Sequence, residues 1–183
     1  MDARTVQRTQ FGQAALPVRW EGVARPGRRR MPLKSVRFLA ITLTALAFVP
    51  AGAHLFALPN KIGLEEDTYF AVQGIYRGWA LFGAVLIAAF IANGVLAFSM
   101  RGRPMPFWLA VIGCLMIAAT IEIFIRWVYP ANELTRNWTA IPANWETLRE
   151  QWEYGQAANA ILTFIGLCAV TGSVVSDEGV EEL

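Results

Sequence analysis

Four long apolar stretches, separated by shorter polar ones, set the pattern of this chain. The first runs from Val36 to Leu58, the second from Gly78 to Met100, the third from Pro106 to Tyr129 and the fourth from Ala158 to Val175. A helix needs about 20 predominantly apolar residues to cross a hydrocarbon core ~30 Å thick, and each stretch is near that length. The fourth has a prelude in which Trp145, Leu148 and Trp152 recur at helical spacing among charged residues, with Asn144 placed to cap its start. The pattern therefore predicts an all-α fold: an up-down antiparallel bundle of four transmembrane helices, with an amphipathic extension leading into the fourth.

Within the spans, Pro50 predicts a kink one turn before His54. The small residues Gly83, Ala84, Ala88, Ala89, Ala92 and Gly94 predict close helix approach, and Asn93 an interhelical hydrogen bond. Trp127 and Tyr129 read as interfacial aromatics closing the third span. Outside the spans, residues 1–35 read as a disordered basic tail, 36–175 as the membrane domain and 176–183 as a frayed acidic tail. A basic stretch, an apolar run and Ala51-Gly52-Ala53 also mimic a cleaved signal peptide, but the apolar run continues to Leu58, longer than such an h-region, which favours a retained helix.

Composition agrees with a bilayer environment. The 183 residues are 55% hydrophobic and 16% charged, against about 25% charged in a soluble domain. The net charge of +2 is unevenly spread: nine of the sixteen Lys and Arg precede residue 38, and four of the fourteen acids follow residue 176. With Arg101 and Arg103 in the second connection, this asymmetry predicts a multi-pass cell-membrane protein with both termini cytoplasmic. The arginines read as topology determinants at anionic lipid, with no nucleic-acid role. Cys114 and Cys168 are isolated in apolar runs without a CxxC pair, so they read as packing residues and argue against a thiol–disulfide oxidoreductase. One histidine excludes an all-histidine metal site within one chain, and a His54/Glu122 pair lacks further ligands, so no metal is expected.

Candidate chemistry gathers at one depth. Glu122 and Arg126 lie four apart in the third span and share a helix face, and ionisable residues in a span ordinarily face a bundle interior, a partner or water. Threading the spans places His54, Arg77, Glu122, Arg126 and Asn159 in the same half of the bilayer. Glu122 or His54 has the chemistry of a general base, and Arg77 or Arg126 that of an anion holder. The alternative is structural, with Glu122 paired to Arg126 and His54 to a backbone carbonyl.

Pro130-Ala131-Asn132, followed by Trp145, Leu148-Arg149 and Trp152, resembles the motif of a family of small four-span membrane proteins described as anthrone-oxygenase-like. The resemblance covers roughly residues 36–175. It implies an integral membrane protein, some of whose relatives oxidise anthrones to anthraquinones with no recognised cofactor. On that implication Glu122 or His54 is the base, Arg77 or Arg126 steadies the anion, Trp127 and Trp152 flank the rings, and Asn159 lines the same site. Members often carry a histidine shortly after the last Trp, where this chain has Gln156. The expected partners are the lipid bilayer and a lipophilic small molecule, and an oligomer is compatible with the sequence. The competing expectation is a non-catalytic binding, transport or accessory membrane protein. Small multidrug exporters are a poor analogy, because their key carboxylate lies in the first span.

Overall fold

The computed structural model describes residues 32–178, and every described element is helical. The long apolar runs become α1 (Leu33–Lys61), α3 (Phe82–Ser99), α4 (Pro104–Ile123) and α6 (Trp145–Glu178), joined by the short helices α2 (Glu66–Gln73) and α5 (Tyr129–Leu134). The four long helical segments are long and apolar enough to cross a membrane, as expected. The predicted tails at 1–31 and 179–183 lie outside the described residues. α1 begins at Leu33 and α6 ends at Glu178, so residues 33–35 and 176–178, which the sequence reading assigns to the tails, are helical.

Pro50 and Pro59 both lie inside α1, which nevertheless runs unbroken for 29 residues. Pro130 has a more visible effect. It cannot donate to the carbonyl of Arg126, and just before it the chain widens into a π-turn over Phe124–Val128, in which the Tyr129 N–H reaches back to Phe124 O. Gly113 of α4 and Gly166 of α6 allow the closest helix contact: a Cβ on Gly166 would lie 3.4 Å from Gly113 O, and one on Gly113 would collide with Val170.

Inside the bundle, polar groups pair across helices. Asn93 donates to Thr44 Oγ1 at 3.1 Å, which joins α3 to α1 as its sequence position predicts. Thr120 and Thr163 approach to 3.5 Å between α4 and α6. Both cysteines are free, and Cys168 is exposed on the outward side of α6 rather than packed.

Buried ion pairs set the register of α1 against α6 at both ends. Arg37 and Arg103 both contact Asp177, whose side chain is 1% exposed, while Lys61 meets Glu153 at 2.7 Å. Arg37 and Lys61 are 24 residues apart (37 to 61), and so are Glu153 and Asp177 (153 to 177). At 1.5 Å per residue, both separations come to about 36 Å. That spacing is slightly more than the ~30 Å of a hydrocarbon core. Between them Phe48 stacks on Phe164 at 5.5 Å.

Candidate functional site

At the Glu153 end, a cluster of buried hydrophobic residues caps the bundle. Tyr69 of α2, Val128 and Ala131 around the π-turn, Trp138, and Leu148 and Trp152 of α6 are its buried members. The Trp145–Leu148–Trp152 stripe supplies one side, so it packs on this cap and not on open headgroups. The turn from α5 to α6 holds Arg136, Asn137 and Trp138 at φ of 49, 53 and 62°. Left-handed geometry costs a non-glycine residue roughly 1–2 kcal/mol. Local bonds offset it: Asn137 N–H donates to Asn132 O at 2.7 Å and Trp138 N–H to Thr135 Oγ1 at 3.1 Å. Asn132 Oδ1 then accepts two indole N–H groups, from Trp138 at 3.1 Å and Trp152 at 2.9 Å. The Pro-x-Asn and the later Trp are therefore parts of a single contact. Arg149 ties the cap down by donating to Leu64 O at 2.7 Å.

Beneath the cap lies the Lys61–Glu153 pair, with side chains 5% and 0% exposed. Tyr69 Oη donates to Glu153 Oε1 at 2.9 Å and itself accepts from Gln73 Nε2. Glu153 Oε1 thus accepts from the phenol and stands in ion-pair contact with the ammonium, whereas Oε2, like Lys61 Nζ, has no hydrogen-bond partner among the described residues. The ammonium lies 4.5 Å from the ring centre of Tyr76 and 4.8 Å from that of Trp152, distances at which the ring quadrupole attracts a cation. His54 completes the wall, 4.3 Å from Tyr76, 4.9 Å from Trp152 and 5.4 Å from Trp79 between ring centres. Burial, then the nearby Glu153 charge and hydrogen bond, hold the Tyr69 phenol far above its ordinary range; burial and the same charge raise Tyr76. Tyr69 therefore stays protonated and stays a donor.

The expected site residues divide into two groups. His54 and Trp152 are buried and in contact with each other. Asn159 is buried on α6 at the level of His54, its Oδ1 without a hydrogen-bond partner among the described residues. Glu122 and Arg126 pair with one another as the structural alternative has it, but on the outward face of the bundle, 55% and 69% exposed. The inward positions of α4 include Gly113, Ile117 and Thr120, and Glu122, two residues beyond Thr120, lies ~200° around the helix from it. Glu122 and Arg126 thus stand apart from the inward-facing His54, Trp152 and Asn159. Trp127 is exposed beside a groove with Tyr154 and Gly155, and Arg77 is exposed in the connection before α3. Gln156 is half-buried.

Lys61, Glu153, Tyr69 and Gln73 are the polar centre that reading the sequence missed. The signal for Glu153 is present: 153, 157, 160, 163, 170, 173 and 177 trace one buried stripe along α6, with a carboxylate at each end. No cluster of three or more His, Cys, Asp or Glu with metal-binding geometry occurs among the described residues. Comparison of the chain with family models, curated proteins and solved structures found no match.

Proposed function

We propose that this integral membrane protein is an anthrone-type oxygenase, acting on a lipophilic, aromatic, enolisable small molecule, with the Lys61–Glu153–Tyr69 centre in place of Glu122. The observation that carries the reading is a fully buried carboxylate with one oxygen held by an ammonium and a phenol and the other without a hydrogen-bond partner among the described residues, enclosed by aromatic rings. Ionisable groups at such a place in a membrane bundle are costly and ordinarily functional. The free oxygen, Oε2, takes the methylene proton of the substrate, and the enolate oxygen that develops is steadied by Lys61 and the Tyr69 hydroxyl. His54, Tyr76 and Trp152 offer ring faces for the substrate.

The carbanion then transfers electrons to dioxygen and forms a C–O bond, and the peroxide oxygen takes back the proton held by Glu153, which restores the base. Loss of water from the resulting hydroperoxide leaves the ketone. The methylene carbon is oxidised and dioxygen reduced, in the balance anthrone plus O2 to anthraquinone plus water. We place both termini on the cytoplasmic side of the cell membrane, because the Arg37, Arg101 and Arg103 end is the basic one. That leaves the oxygenase centre near the opposite surface.

The test is dioxygen consumption by the purified, detergent-solubilised protein with an anthrone, above spontaneous autoxidation. Consumption should be lost in Glu153→Gln. A second reading, a non-catalytic binding or accessory protein, is favoured by the mutual packing of the rings at 4.3–5.8 Å, which fills the centre with the protein's own side chains. No consumption above background from folded protein would select it.

A further inference from the structure

The opposite end of the bundle carries a feature that the oxygenase centre does not use. Along α1 and α3 runs a groove lined by Val36, Leu39 and Leu43 on one side and Ala88, Ile91, Ala92 and Val95 on the other, and every lining residue is apolar. It extends over eight residues of each helix, a rise of about 10 Å, starting at the level of the Arg37–Asp177 clamp and rising into the hydrocarbon span. Phe98 is one turn beyond Val95 on the same face of α3. The Arg101 guanidinium lies over its ring, 3.3 Å from the centroid, with Nε donating to Phe98 O at 3.0 Å. Arg101 is exposed and has no carboxylate within ion-pair distance among the described residues. A cation thus stands at the mouth of a greasy slot.

Charge says what kind of occupant fits. Among the residues whose side chains are described, this end holds Lys34, Arg37, Arg101 and Arg103 against Asp177, a surplus of three positive charges. The aromatic end holds five bases against eight acids, a deficit of three. Asp177 is already shared between two arginines, so it offers Arg101 no compensation. Basic residues at headgroup level attract anionic lipid, and apolar contact adds to that attraction for each methylene buried.

We propose that the α1–α3 groove, with Arg101 at its mouth, is a binding site for one acidic glycerophospholipid, whose acyl chain lies along Val36–Leu43 and Ala88–Val95 and whose phosphate meets Arg101. The proposal is independent of the oxygenase reading, since it shares no residue with the Lys61–Glu153 centre.

The experiment is native mass spectrometry of the full chain in detergent, titrated with dioleoyl-phosphatidylglycerol or with dioleoyl-phosphatidylcholine, which have identical chains. One phosphatidylglycerol should be retained in preference to phosphatidylcholine, and Arg101→Gln should weaken that preference about fivefold, the contribution of one basic residue at a lipid surface. Ile91→Trp, at an exposed position, fills the groove and should lower retention of both lipids while the helical circular dichroism stays unchanged. Inorganic phosphate at millimolar concentration should not displace the lipid. Equal retention of the two lipids, unchanged retention in Ile91→Trp, or displacement by phosphate alone would each overturn the proposal, the last by showing an anion site without a chain site.

Discussion

Replacing Lys61 by Met tests the polar centre without touching its carboxylate. Met keeps the length and apolar stem of the side chain and removes only the ammonium. Glu153, 0% exposed, would then be left as a buried charge with a single hydrogen bond, the 2.9 Å contact from Tyr69. Breaking a buried pair by removing one partner costs about 3–5 kcal/mol. The retained phenol bond and the loss of the lysine's own desolvation cost put the expected value near the lower figure, about 3 kcal/mol. Replacing both charges by apolar groups should recover most of the loss, because a well-packed apolar pair in place of a buried ion pair is often neutral or better. The assay is equilibrium unfolding of detergent-solubilised protein for Lys61→Met, Glu153→Leu and the double variant, analysed as a double-mutant cycle. A Lys61→Met protein within about 0.5 kcal/mol of wild type, the scale of an ordinary exposed substitution, would refute the burial of the pair.

Two further outcomes follow from neighbouring contacts. Asn132→Leu removes the acceptor of two indole N–H groups and should cost about 1–3 kcal/mol for each donor left buried; thermal unfolding and a shift in tryptophan emission report it, and an unchanged melting temperature would exclude the shared acceptor. Alkaline pH supplies the other. The folded-state ionisations of Tyr69 and Tyr76 are raised above the ordinary 10.0, so as pH rises through about 10 the unfolded chain loses protons that the folded chain keeps. The stabilisation from these phenols is complete below that pH and is lost above it, at about 1.4 kcal/mol per pH unit for a fully retained proton at Tyr69. Tyr69→Phe should flatten that decline in unfolding measurements between pH 9 and 11, and an unaltered slope would argue against a buried phenol.

Much of the architecture is legible in the sequence, because span length and hydropathy depend on composition along one helix. Asn93, His54 and Trp152 are legible for a related reason: a lone polar or aromatic group in an apolar run stands out. Glu153 is hidden by the opposite circumstance. It follows Glu146 and Glu150 in the polar first turns of α6, where one more acid looks solvated, and only the α1–α6 register buries it. Lys61 is hidden by Pro59, which reads as the end of a helix that in fact continues to Lys61. Glu122 misleads because its apolar neighbours advertise it, while the direction of its side chain depends on which face of α4 packs against α6. The Asp177 clamp is masked by its place in a terminal run of acids. In each case the missing information is the azimuth of a residue relative to a helix distant in sequence.

Glu153 is the proposed base, and hydrogen–deuterium exchange at the methylene of an anthrone, followed in D2O under nitrogen, isolates proton abstraction from dioxygen chemistry. The protein should accelerate exchange over buffer, Glu153→Gln should abolish the acceleration, and Glu122→Gln should preserve it. Acceleration that survives in folded Glu153→Gln, or that disappears in Glu122→Gln instead, would contradict the assignment of the centre.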